Sequence, residues 1–264
     1  MTGQKRIKRG NFHLVDPITL PHPRGMAHTW VTTDIFSEVI HGIQSLSLRG
    51  YGLVAGVGLL DLALELLDPH AGIGFTAVSY AELAVETVAF LTVLYLIAVM
   101  IAKVPVSWKG GLRFSLVTIL SIGIPIGTLL WVFWSTGRNG DMSGAVVVII
   151  SLVLLVVLFM LPLLSAWPMA QALSDRFVSP LRIMKATKGH RWGLIAAAYL
   201  TTALNKLFPA TSAAKGATEF IALAVGNSAV SCISLLISAS IAGTAWKFAV
   251  LTDPALAALP ARAE

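Results

Sequence analysis

Five of the thirteen carboxylates of this 264-residue chain fall between positions 61 and 86. Asp61 and Glu65 are four residues apart, as are Glu82 and Glu86, so on helices each pair occupies one face. Acids gathered in so apolar a neighbourhood could bind a cation or pass a proton in a cavity open to the periplasm. With a helical rise of about 1.5 Å per residue from Arg49, Asp61 stands roughly 18 Å along its segment, past the middle of a hydrocarbon core. A carboxylate at that depth costs about 3 kcal/mol unless it faces protein or water. The alternative is structural. The first segment is then shallow, its end is interfacial, and the acids pair with Lys206, Lys215 or Arg138. We weigh the second reading above the first, and Asp61 is the residue it explains least well.

No other constellation has catalytic spacing. His13, His22, His28, His41, His70 and His190 fall outside the centres of the apolar segments, and no two show metal-ligand spacing on a helix. A buried cofactor and a metal are therefore both unexpected. The single cysteine, Cys232, lies in an apolar stretch and reads as core packing. Walker loop, zincin and nucleophile-elbow patterns are absent from the sequence, and the expectation is a protein that is not an enzyme.

The elements that carry these residues follow from composition. The chain is 56% hydrophobic and 12% charged, with a mean hydropathy of +0.80. One soluble core cannot hide that much apolar surface. Six segments have the length and apolarity of membrane helices: 51–67, 80–102, 114–134, 145–169, 192–207 and 220–247, of which the first and fifth are short. The fold class is therefore all-α, a polytopic membrane bundle of six transmembrane helices arranged as three hairpins.

Lys and Arg orient that bundle, because they are retained on the cytoplasmic side of span ends. Of nineteen, sixteen fall in the N-terminal segment, the second and fourth connections and the C-terminal end, and only Arg138, Lys206 and Lys215 fall elsewhere. Both termini are expected in the cytoplasm, with the chain in a cytoplasmic (inner) membrane. The net charge of +6 points to anionic lipid, since the cations flank apolar spans and lack the interleaved aromatic platform that nucleic acid requires. Arg182, Lys185, Lys188 and Arg191 are the candidate contacts. A protein partner or a second copy of the chain is also compatible with the sequence.

Short interfacial helices are expected before spans one and five. The first is capped by Asp34 and presents Ile35, Phe36, Val39, Ile40, Ile43 and Leu46 at helical spacing. The second opens on Ser179 and Pro180. Residues 1–33 form a basic cytoplasmic tail without a signal-peptide core, residues 34–250 the membrane domain, and residues 251–264 a disordered tail. Gly123, Pro125 and Gly127 are spaced to kink the third span, though packing is the weightier reading. Ser234, Ser238 and Ala242, like Gly52 and Gly56, form small-residue ladders for close packing within the bundle or between two copies.

The run from Ser179 and Pro180 through Arg182, Lys185, Lys188, Gly189, His190, Arg191 and Trp192 resembles a signature of a bacterial family of six-span proteins. These are the membrane domain fused to some glycerophosphodiester phosphodiesterases and its stand-alone relatives. In that family an interfacial helix ends in a basic residue, Gly and a basic–Trp pair before the fifth span. An aromatic–basic pair closes the last span, as Trp246 and Lys247 do here. The resemblance implies a fold and a cytoplasmic-membrane address. This sequence carries no phosphodiesterase domain, so no catalytic residues follow from it. Two functions stay open: a scaffold, assembly or lipid-environment module, and a small transporter or channel using Asp61 and the third span.

Overall fold

The computed structural model describes residues 32–67, 77–137, 160–174, 176–204 and 206–257, together with positions 148, 150–152 and 155. All of them fall within one unit, Val31–Glu264. Among the described residues the regular structure is entirely helical: α1 (Thr32–Gln44), α2 (Leu48–Leu67), α3 (Ala77–Ala102), α4 (Trp108–Gly137), α5 (Trp167–Ala172), α6 (Pro180–Thr187), α7 (Arg191–Leu204) and α8 (Ala217–Thr252), with 3₁₀ turns between them. The positions at 148, 150–152, 155 and 160 are helical too. Most of both expected tails, much of the expected fourth span and Arg138 lie outside the described residues.

Three helices are long and apolar enough to cross a membrane, at Leu48–Leu67, Ala81–Ala102 and Ala217–Thr252. Only 22% of the apolar window of α2 and 28% of that of α8 are buried within the protein. A helix that is apolar all round yet mostly uncovered by protein needs an apolar medium on its outer face. Leu59, Val88 and Ile221 are among the large side chains turned outward. The helix α4 runs 30 residues through Gly123, Pro125 and Gly127 without a break. Helix α7 has 14 residues, short for a crossing.

Helix α8 is the hub, packing against α1, α2, α3, α6 and α7. From Ala239 to Trp246 every residue is buried. Small side chains allow that approach: a Cβ on Gly243 would meet the Ala98 carbonyl at 3.0 Å and Ile101 just beyond. Helix α2 packs through Gly50, Val54 and Gly58. Gly52 and Gly56, the ladder read from sequence, instead face open space. The reason is register, since the face four residues apart from Gly50 is the one that meets Leu46, Ile97 and Cys232. Helices α2 and α8 run antiparallel. The Cys232 thiol donates to the Val54 carbonyl at 3.5 Å, and Thr211, ahead of α8, reaches Glu65 near the end of α2 at 2.7 Å.

Helix α1 begins at Thr32, so Asp34 lies in its first turn and not at its cap. Its apolar face, expected to rest in the membrane surface, is spent on protein. Ile35, Val39 and Leu46 are buried, Ser240 donates to the Val39 carbonyl at 2.8 Å, and Gly193 of α7 lets Ile35 press against its backbone. Ser179 occupies the cap position of α6 without a side-chain cap bond, and Pro180 starts that helix. The described part of the expected C-terminal tail is folded: α8 reaches Thr252, a 3₁₀ turn spans Pro254–Leu256, and Leu256 is buried.

Candidate functional site

The acids singled out in sequence sit on α2 and α3, and the antiparallel pairing of these helices brings three of them together. Asp61 of α2 and Glu86 of α3 approach each other across the helix pair, with Glu65 close enough to act on Glu86 electrostatically. Thr211 Oγ1 donates to Glu65 Oε1 at 2.7 Å. Glu82 stands a turn further out on α3, half-buried. Two apposed carboxyl groups can share a proton or a cation. Among the described residues, no three or more His, Cys, Asp or Glu side chains form a group able to hold a metal ion. Lys206 and Lys215 are exposed, and neither forms an ion pair with Asp61, Glu65, Glu82 or Glu86 among the described residues.

The opposite end of the same helices gathers the described cations other than Lys206 and Lys215. It comprises the start of α2, the end of α3, the start of α4, α5, α6, the start of α7 and the end of α8. Side chains latch these together. Arg113 Nη1 donates to the Ser174 carbonyl at 2.7 Å, and Trp167 Nε1 to the Val178 carbonyl at 2.8 Å. Tyr95 Oη donates to the Ser107 carbonyl at 3.0 Å and accepts from Ser107 N–H at 3.2 Å. Ser107 Oγ in turn accepts from Gly110 N–H at 2.9 Å, closing the first turn of α4. Gly110 has to be glycine, because a Cβ there would stand within 3 Å of Ser107 Oγ, Tyr95 Oη and the Ala172 carbonyl. Lys103 ends α3 at φ 56°, and the bonds Lys103 N–H to Met100 and Val104 N–H to Val99 close a Schellman turn.

Of the four candidate lipid contacts, Arg182 is already engaged. Its Nε donates to Asp253 Oδ2 at 2.6 Å and its Nη2 to Oδ1 at 2.9 Å. Those hydrogen bonds, and the guanidinium charge after them, hold the Asp253 carboxyl below the usual carboxylate range. Lys185, Lys188 and Arg191 are exposed, with the Arg191 guanidinium 5.6 Å from the Trp192 ring centroid. His190 stacks on Phe248 at 4.0 Å. Sequence reasoning missed Asp253, which it placed in a tail. The available signal was an Asp–Pro step directly after the last span, a stop that also provides a carboxylate at a basic interface.

A second feature escaped the sequence altogether. A cavity of about 330 Å³ opens between α3, α4, the Leu161–Leu164 turn, α5, α7 and α8. Its walls carry the hydroxyls of Thr118, Ser121, Ser165, Thr202 and Ser238. Comparison with known proteins gives no matching family model, no matching curated protein and no matching solved structure.

Proposed function

We propose that the chain is a six-span protein of the bacterial cytoplasmic membrane, built as three hairpins with both termini in the cytoplasm. In this reading it acts without catalysis, as a scaffold, assembly factor or lipid-environment module that grips anionic headgroups through Lys185, Lys188 and Arg191. The observation that carries the reading is the partition of cations. Sixteen of nineteen Lys and Arg fall in the N-terminal segment, the second and fourth connections and the C-terminal end, around helices of which three are long and apolar enough to cross a membrane. Helix α4 and the shorter α7 would supply the third and fifth crossings, and the segment ending near Met160 the fourth. The resemblance to the membrane domain of glycerophosphodiester phosphodiesterases supports the same architecture and is part of the proposal.

Topology is tested by labelling intact cells with a membrane-impermeant maleimide, using Lys109→Cys, Lys185→Cys and Gly140→Cys in a Cys232→Ser background. Position 140 should react from outside, and positions 109 and 185 only after permeabilisation. Labelling of 109 or 185 in intact cells would overturn the orientation.

One observation favours a second reading, a small transporter or channel. It is the approach of Asp61 to Glu86 on facing helices, with Glu65 beside them. Paired acids on apolar spans are the chemistry of proton relays, and an activity abolished by Asp61→Asn in a folded protein would support it.

A further inference from the structure

The cavity between α4, α7 and α8 is built to exclude charge. Among the described residues none of its lining side chains is ionisable except Tyr199. Most of its hydroxyls, though not Ser238 and Tyr199, are committed internally. Thr118 donates to the Phe114 carbonyl at 2.8 Å, Ser121 to Thr118 at 2.9 Å and Ser165 to Pro162 at 2.7 Å. Thr201 and Thr202 donate to Ala197 and Ala198, each at 3.1 Å. A charged or heavily hydroxylated ligand would lose its water there and find few partners, whereas a hydrocarbon chain loses nothing. The volume, about 330 Å³, lies at the small end of ligand pockets, which run from roughly 300 to 1,000 Å³.

Position selects the source of that chain. Arg191 opens α7, and Ala198 and Thr202 follow it by seven and eleven residues, so all three share one helix face. At about 1.5 Å per residue the cavity wall lies roughly 10 to 17 Å below Arg191, within about one leaflet of hydrocarbon. Tyr199, in that wall, is 44% exposed beside the outward Leu200, and Thr202 of the same wall is exposed as well. The cavity therefore opens sideways, onto the face that the apolar helices turn to the bilayer.

Building on the membrane reading above, we propose that this cavity seats one acyl chain of an anionic phospholipid of the cytoplasmic leaflet, its headgroup held by Arg191 and Lys188. A lipid standing at the basic end places its chain beside Ala198 and Thr202 without tilting. The charge above and the uncharged wall below match the two halves of such a molecule.

The test uses full-length protein in nanodiscs doped with phosphatidylglycerol carrying a diazirine midway along one chain, with adducts mapped by mass spectrometry after irradiation. Adducts should concentrate on the α4 and α7 peptides holding Thr118 and Tyr199. Ala198→Phe or, if that variant is not monodisperse, Thr202→Phe should lower them roughly tenfold, as expected when about two buried methylenes are displaced. Leu200→Phe, outside the lining, should leave them unchanged. Adducts spread evenly over outward positions such as Leu59 and Val88, indifferent to the cavity variants, would overturn the site while leaving the membrane reading intact. An absence of adducts on every helix would overturn the membrane reading itself. Equal cavity labelling by a phosphatidylcholine probe would overturn the role given to Arg191 and Lys188.

Discussion

Gly52 and Gly58 lie on one helix, yet only Gly58 packs against a neighbour. A Cβ on Gly58 would collide with the Cys232 sulfur and sit 3.6 Å from the Ser228 carbonyl, whereas one on Gly52 meets nothing within 4 Å. An Ala at 58 could be absorbed by rotation of the Cys232 side chain. A Leu could not, because the α8 backbone lies behind the thiol. We expect Gly58→Leu to cost about 1–3 kcal/mol of stability in denaturant titrations of the detergent-solubilised protein, or to prevent folding. Gly52→Leu should stay within about 0.5 kcal/mol of wild type, and equal effects at the two sites would contradict the packing register. Asp61 is a different kind of residue, since it faces another acid, Glu86, across the helix pair. An Asn at 61 keeps the shape, donates its amide to the Glu86 carboxylate and removes one of two apposed acids. Asp61→Asn should therefore hold or raise the melting temperature. A clear fall would mean that a cation outside the described residues neutralises Asp61.

Among the elements, α6 shows how a short helix is fixed from both sides. Thr187 reaches back to the Leu163 carbonyl at 3.1 Å, Ile183 is fully buried, and Arg182 clasps Asp253 beyond the end of α8. Hydrogen bonding by Arg182 lowers the Asp253 pKa, so the clasp is at full strength above the unfolded value of about 3.9 and is lost as pH falls through the lower folded value. Asp253→Asn should therefore lower the melting temperature slightly at pH 7. The wild-type and variant curves should converge as the pH falls below the unfolded value of about 3.9 and through the lower folded one, and added salt should shrink the gap because both side chains are partly exposed. A gap that persists unchanged in acid would show that the clasp is not electrostatic. The sequence announced α6, because Ser179–Pro180 is a helix start that local rules recognise. It could not announce the clasp, whose partners stand 71 residues apart and meet only once α8 has packed. The same limit explains α1. Its periodicity was readable, but an amphipathic stripe is identical whether lipid or Ser240 and Gly193 cover it.

At the scale of the whole molecule, the legible part was the alternation of apolar runs with charge, since span length and positive charge are local properties of the sequence. The cavity was illegible because its walls are contributed by five separated helices and a turn, with no motif among them. The described structure is polarised in chemistry: one end carries neighbouring acids, and the other the exposed Lys185, Lys188 and Arg191 together with outward apolar side chains such as Leu181. Cations near an anionic membrane surface contribute about 1 kcal/mol each, and a lipid that binds only the folded protein stabilises it by mass action. Replacing phosphatidylcholine with phosphatidylglycerol in nanodiscs should therefore raise the melting temperature of the wild-type protein. Neutralising the array as Lys185→Gln, Lys188→Gln and Arg191→Gln should remove most of that increment while leaving the melting temperature in phosphatidylcholine nearly unchanged. Raising the salt to about 1 M, where the screening length falls to about 3 Å, should have a similar effect on the wild type. An increment that survives both treatments would locate the lipid preference elsewhere than on this basic face.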